Sequence, residues 1–138
     1  MSMLSAFLHP VSTIVEKEEI ISRRFVDENG EPVPFRIRSM TQEEMDSLVK
    51  KSTKTVKVNG QQSELFDGLE FNRRLIVNAT VVPDFSAKEM CDAYGVVDPL
   101  LVPVKMLLPG EYQRLLDAIT ALSDIKKPGE EESESEKN

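Results

Sequence analysis

Glu111 has the side chain best placed to do chemistry in this sequence. It lies in the stretch LLPGEYQRLLDAI, residues 107–119, directly after a Pro-Gly break. A carboxylate exposed in a turn could transfer protons in catalysis. The leucines that follow at helical spacing suggest another role, because an acid in the first turn of a helix meets the positive end of the helix dipole. The helical pattern favours this second role.

The other reactive residue types lack partners. His9 and Cys91 are the one histidine and the one cysteine of the chain, so they cannot supply a zinc ligand set. Cys91 has no basic cluster near it in sequence to lower its pKa, and we expect it to be a small core residue. Glu18 and Glu19 are neighbours in a predicted strand and would point to opposite faces. Glycines are scattered rather than gathered in a phosphate-binding loop. The sequence therefore predicts a protein that is not an enzyme and has no cofactor or metal.

Charge and hydropathy exclude further classes. The 138 residues carry 17 basic and 24 acidic side chains, a net charge of −7. Nucleic-acid binding needs a basic surplus, so the basic pairs, such as Arg23-Arg24 and Arg73-Arg74, are interpreted as solvated surface. The apolar run 96–108 is interrupted by charges and prolines and is too short for a bilayer. We expect a partner that is neither nucleic acid nor membrane, and an intracellular setting.

The N-terminal half has the signals of β-structure. Residues 1–12 form a segment of a kind that is often mobile, with a short helix ended by Pro10. The Asn-Gly pair in DENGEP, residues 27–32, predicts a hairpin between 13–26 and the alternating strand VPFRIRSM. Thr41 and Glu44 fit a capping box at a helix start. Residues 50–64 predict either a second hairpin around Asn59-Gly60 or a flexible loop.

The C-terminal half has helical periodicity. Predicted helices cover roughly 65–81, ended by Pro83, and 86–94, opened by a Ser86–Glu89 capping box and closed by Gly95. A kinked segment follows Asp98-Pro99, and an amphipathic helix runs from about 110 to 124. The fold class is therefore α+β: an N-terminal antiparallel hairpin or small sheet, then a helical C-terminal half, in one domain over 1–125. Residues 126–138 have no apolar side chain and are predicted to be a disordered acidic tail.

Two apolar segments could bind a partner. The run VVDPLLVPVKMLL, residues 96–108, is either the central core segment or partly exposed surface that awaits a partner. The N-terminal segment offers the same choice. The partner-binding candidates are Val97, Leu100, Leu101, Val104, Met106 and Leu107, followed by Leu4, Phe7 and Leu8.

Three motifs, in this order and at this spacing, carry a family resemblance. They are FRIRSMTQEEMDSL (35–48), LIVNATVVPDFSAKEMCDAYGV (75–96) and KMLLPGEYQRLLDAI (105–119). The chain resembles, over roughly residues 1–125, the XkdN-like tail assembly chaperones of phages and prophages with Gram-positive hosts.

This resemblance implies a non-enzymatic protein of the host cytoplasm that is absent from the mature virion. Such chaperones bind the tape-measure protein, keep it soluble and bring tail-tube subunits to it. The family commonly makes a longer product by translational frameshift, and it offers no catalytic residues. Self-association would suit a protein that coats a filament. The alternatives are a minor structural tail or neck component of the virion, and a small acidic regulator that binds another protein.

Overall fold

The computed structural model describes residues 3–11 and 14–123. Two antiparallel sheets and six α-helices make up this part of the chain, and the fold is α+β as predicted. The elements in chain order are α1 (Met3–Leu8), β1 (Glu16–Glu19), β2 (Phe35–Arg38), α2 (Gln42–Lys51), β3 (Thr53–Val58), β4 (Gln61–Phe66), α3 (Gly68–Ala79), β5 (Thr80–Val82), α4 (Lys88–Ala93), a 3-10 turn (Pro99–Leu101), α5 (Val102–Met106) and α6 (Pro109–Leu122). The predicted tail, 126–138, lies outside the described residues.

The main sheet has the order β1-β2-β5, and both pairings are antiparallel. Phe35 and Ile37 of the central strand are buried, whereas Arg36 is exposed, which confirms the predicted alternation. Strand β5 was not predicted, because residues 65–81 were interpreted as one helix. That interpretation is wrong at both ends: Leu65 belongs to β4, and the helix stops at Ala79. The β-branched run Thr80 to Val82 instead adds a third strand beside β2.

The turn in DENGEP forms, but the strands beside it do not pair as a simple hairpin. Gly30 has a φ of +79°, and the Asp27 side chain accepts the N–H groups of Asn29 and Glu31. Only a single β-bridge, Val26 to Pro32, joins the two arms among the described residues. Prolines 32 and 34 have no N–H to extend the ladder. Strand β2 therefore pairs with β1, further back in the chain.

Residues 53–66 form the second hairpin, which settles the choice between a hairpin and a loop. Asn59 and Gly60 have φ values of 52° and 79°, the left-handed pair that a tight two-residue hairpin turn requires. Strand β4 is exposed along its whole length. The hairpin therefore projects from the domain, and its base is held by ring contact between Phe66 and Phe71, whose centroids are 5.6 Å apart.

Side-chain caps set the helix starts, although not all of them as predicted. The Thr41–Glu44 capping box is present at α2, and Asp67 caps α3. The Ser86–Glu89 box is absent: α4 begins after Ala87 with no side-chain cap. In the turn before it, the Asp84 carboxylate accepts the Ser86 N–H.

The helices of the C-terminal half and the inner face of the main sheet enclose one core. Helix α6 contributes three buried apolar side chains at predicted positions, Leu115, Leu116 and Ile119. The buried apolar residues are Ile21, Phe35, Ile37, Leu48, Leu75, Ile76, Ala79, Phe85, Cys91, Val102, Met106, Leu107, Leu115, Leu116 and Ile119.

Candidate functional site

Glu111 is buried and already engaged. Its carboxylate accepts hydrogen bonds from Nε of Arg24 at 3.0 Å, from Nη2 of the same guanidinium and from the Ser22 hydroxyl. It also accepts the backbone N–H of Leu108 at 2.9 Å, so it caps the start of α6. The prediction that Glu111 is a first-turn acid is confirmed, but the helix dipole is only part of its environment.

The electrostatic environment of Glu111 gives its carboxylate a structural role. The Arg24 guanidinium, helped by Ser22 and the Leu108 N–H, lowers the pKa of Glu111 from 4.5 to about 2, although burial opposes this shift. The ion pair raises the pKa of Arg24 in turn. A carboxylate that stays ionised and has four hydrogen bonds is a poor general acid or base at neutral pH.

Arg24 also contacts an apolar surface. Its guanidinium carbon lies 4.9 Å from the centre of the Phe25 ring, and its Nη2 donates to the Met106 carbonyl at 2.9 Å. The same group that fixes Glu111 therefore positions Phe25 and the end of α5. Sequence reasoning interpreted Arg24 as solvated surface; its side chain is 45% exposed, but its contacts with Glu111 and Phe25 were missed.

Phe25 and Met106 belong to a cavity of about 240 Å³ that we call the apolar groove. It lies between the segment before β2, the end of β5, and helices α4 and α5. None of the nine described residues that line it is charged, and two of them are methionines, whose side chains re-pack easily. The lining residues are Phe25, Val33, Pro34, Phe35, Val82, Pro83, Met90, Tyr94 and Met106.

The N-terminal candidates lie on a helix that stands out from the core. Helix α1 forms where predicted, and it has no buried residue. Phe7 is 78% exposed and Leu8 is 63% exposed, and Leu4 is exposed as well. We call residues 3–11 the N-terminal arm.

The candidates from the run 96–108 divide into two groups. Val97 is 98% exposed and Val104 also faces outward, while Leu100 and Leu101 are half-buried. Met106 and Leu107 are each only 8% exposed and belong to the core. The run is thus partly core and partly surface, and Met106 also lines the apolar groove.

The remaining reactive side chains are isolated. His9 is exposed on the arm. Cys91 is buried, with its thiol 3.9 Å from the Phe85 carbonyl, as expected of a core residue. Within residues 3–11 and 14–123, no three histidine, cysteine or acidic side chains gather as a metal site would require. In the same ranges no helix has the length and apolar character needed to cross a bilayer.

Sequence comparison decides the family. Residues 4–137 match the pattern of the phage XkdN-like tail assembly chaperone proteins. The chain belongs to this family. Two proteins of Bacillus subtilis strain 168 are similar to this tail assembly chaperone over 96% of its length. YqbN is 39% identical over 92% of its own length, and XkdN of the phage-like element PBSX is 36% identical over 93%.

A crystal structure of a relative has a similar fold. The crystal structure of YqbN superposes with a TM-score of 0.72 at 32% identity, covering 88% of this chain and 96% of YqbN.

Proposed function

We propose that this chain binds the tape-measure protein during phage tail assembly, keeps it soluble and helps to recruit tail-tube subunits, without catalysing a reaction. The observation that carries the proposal is the family match over residues 4–137. Phage tail proteins are the partners that such a family implies, and the long helical tape-measure protein is the one that most needs a chaperone.

The exposed apolar side chains support this role physically. A helical client presents stripes of apolar residues, and a groove or patch of apolar side chains binds such stripes. Val97 and Val104 supply apolar surface beside the half-buried Leu100 and Leu101. We propose these four residues as the client-binding surface.

The net charge of −7 complements the apolar surface. A complex between a chaperone and an apolar client aggregates less when it carries a large charge of one sign, because the complexes repel one another. An acidic chaperone therefore keeps its client dispersed in the host cytoplasm.

Co-expression with the tape-measure protein of the same genome tests the proposal. With an affinity tag on this chain, we expect the tape-measure protein to move from the pellet to the supernatant and to be recovered with the tag. Equal precipitation with and without this chain, and no recovered complex, would overturn it.

Immunoblotting of purified particles tests the separate claim that the protein is absent from the virion. We expect the chain in lysates during assembly and not in banded phage or tails. A stoichiometric amount in mature tails would instead identify a minor structural component.

A further inference from the structure

We propose that Arg73 of α3 and Tyr112 of α6 form a carboxylate-binding site, and that a glutamate from residues 130–136 of the same chain occupies it. The two helices pack against each other. This inference depends on neither the proposed client nor the apolar groove.

Arg73 lacks the acceptor that comparable arginines have. Three arginines of the described residues are half-buried, and they are Arg38, Arg73 and Arg74. Arg38 pairs with Glu44, and Arg74 pairs with Glu70. The Nε of Arg73 is shielded from solvent and has no hydrogen-bond acceptor in the described part of the chain. Because buried N–H groups nearly always have an acceptor, this one points to a ligand.

Tyr112 supplies a second unpaired donor. Its hydroxyl is also buried, and no group within residues 3–11 and 14–123 bonds to it. Burial raises the pKa of Tyr112, and the positive charge of Arg73 partly opposes this shift, so the two groups lie close together. They do not bond to each other. A single acceptor between them would satisfy both.

A carboxylate is the acceptor that suits this pair. A guanidinium binds both oxygens of a carboxylate through its Nε and one Nη, and the charge strengthens these bonds. The nearest acid on α3 is already engaged, because Glu70 contacts Arg74 at 3.4 Å and Lys54 at 3.7 Å. The carboxylate therefore comes from outside the described residues.

The C-terminal residues of the same chain carry such carboxylates within reach. Residues 130–136 contain five glutamates. Ser123, where the description ends, is fixed because its hydroxyl accepts the Met40 N–H at 2.9 Å. From Ser123 back to Tyr112 along α6 is about 16 Å. The seven residues from Ser123 to Glu130 extend to about 24 Å, so the tether reaches the site with slack.

Covalent attachment favours these glutamates over the carboxylate of a separate protein. A short tether gives its end a millimolar effective concentration at a site that it can reach. Any of the five glutamates can occupy the site, which multiplies the ways of binding. Only one carboxylate is held at a time, so the rest of the segment needs no regular structure.

Nuclear magnetic resonance of the isotope-labelled full chain tests the inference. The backbone amide resonances of residues 130–136 are compared with those of a synthetic peptide of residues 124–138. We expect at least one glutamate resonance of the wild type to differ from its position in the peptide. Arg73→Gln should move this resonance to the peptide position, because it removes the charge that binds the carboxylate.

Two further variants separate the site from general effects of charge. Tyr112→Phe removes only the hydroxyl and should move the same resonance part of the way, which keeps the test intact if Arg73→Gln lowers the urea midpoint. Arg23→Gln makes the same change of charge at an exposed arginine, and it is the matched control. It should leave the glutamate resonances where they are in the wild type.

The site itself gives the reciprocal measurement. Replacement of all five glutamates of 130–136 by glutamine should shift the Arg73 Nε–H resonance and speed its exchange with water. Lys126→Gln/Lys127→Gln changes the same segment but keeps the carboxylates, so it should have neither effect. Glutamate resonances that match the peptide in the wild type, or that ignore Arg73→Gln, would overturn the inference. An Arg73 Nε–H resonance that shifts only when another protein is added would also overturn it, because that protein then supplies the carboxylate.

Discussion

Arg24 and Glu111 are 87 residues apart in sequence and form an ion pair that joins the segment before β2 to the first turn of α6. The Glu111 side chain is 10% exposed and the Arg24 side chain is 45% exposed, so the carboxylate is the buried partner. Because Arg24 also contacts Phe25 and the Met106 carbonyl, this pair fixes one wall of the apolar groove.

Glu111→Gln should lower the free energy of unfolding by about 2 kcal/mol, since hydrogen bonds to charged groups contribute about 1.5–3 kcal/mol. The amide leaves Arg24 without its counter-charge and replaces a strong acceptor for Ser22. Urea denaturation followed by circular dichroism measures the change.

Glu43→Gln is the matched control, because Glu43 is an exposed acid in the first turn of α2. It should cost less than about 1 kcal/mol, the range of a helix-dipole interaction alone. Equal losses in the two variants would show that the Arg24–Glu111 pair adds nothing beyond the dipole.

Acid should destabilise the fold between pH 4.5 and about 2. The pKa values of Glu111 and Glu44 are both lowered from 4.5 to about 2, in each case chiefly by an arginine. A carboxylate with a lowered pKa in the folded state stabilises the fold above its unfolded pKa, and this contribution is lost as pH falls toward the folded pKa.

The urea midpoint, measured at steps from pH 6 to pH 2, should therefore fall most steeply below 4.5. Glu111→Gln should flatten the profile in that range, because it removes one of the two carboxylates whose pKa is lowered to about 2. A variant profile parallel to that of the wild type would contradict the assignment of this pKa.

The projecting hairpin should open far more readily than the main sheet. An isolated two-stranded hairpin is only marginally stable in water, and β4 is exposed throughout. Hydrogen exchange with mass spectrometry should show amides around Asn59 exchanging well before those of β2 and α6, which share the core. Equal protection of β3–β4 and β2 would mean that another surface covers the hairpin.

Charged substitutions should separate surface from core within the run 96–108. Val97→Asp should leave the free energy of unfolding within about 0.5 kcal/mol of the wild type, and Leu107→Asp should lower it by more than about 3 kcal/mol. Thermal unfolding checks both. A large loss at Val97 would show that this side chain is not the surface residue that its exposure indicates.

Sequence patterns correctly predicted the features that depend only on residues close together in the chain. The Thr41–Glu44 capping box, the Asn59-Gly60 turn and the apolar face of α6 each depend on neighbouring side chains, and each formed. The fold class follows from the same patterns.

Features that depend on tertiary contact were missed. Helical periodicity continues through Thr80, but pairing with β2 draws this segment into the sheet. The Arg24–Glu111 pair and the apolar groove bring together residues distant in sequence. Two local signals were available: the acid Glu111 just after Pro109-Gly110, and the adjacent Arg24-Phe25, could each have marked a side chain with a specific partner.

The most direct test of the central claim is the soluble fraction of the tape-measure protein when it is co-expressed with this chain or with a Val97→Asp/Val104→Asp variant. We propose that the exposed apolar side chains bind the tape-measure protein. The wild type should therefore keep most of it in the supernatant. The variant, first checked by thermal unfolding to be folded, should leave most of it in the pellet. A soluble fraction that is the same with the wild type, with the variant and with no chaperone would contradict the account.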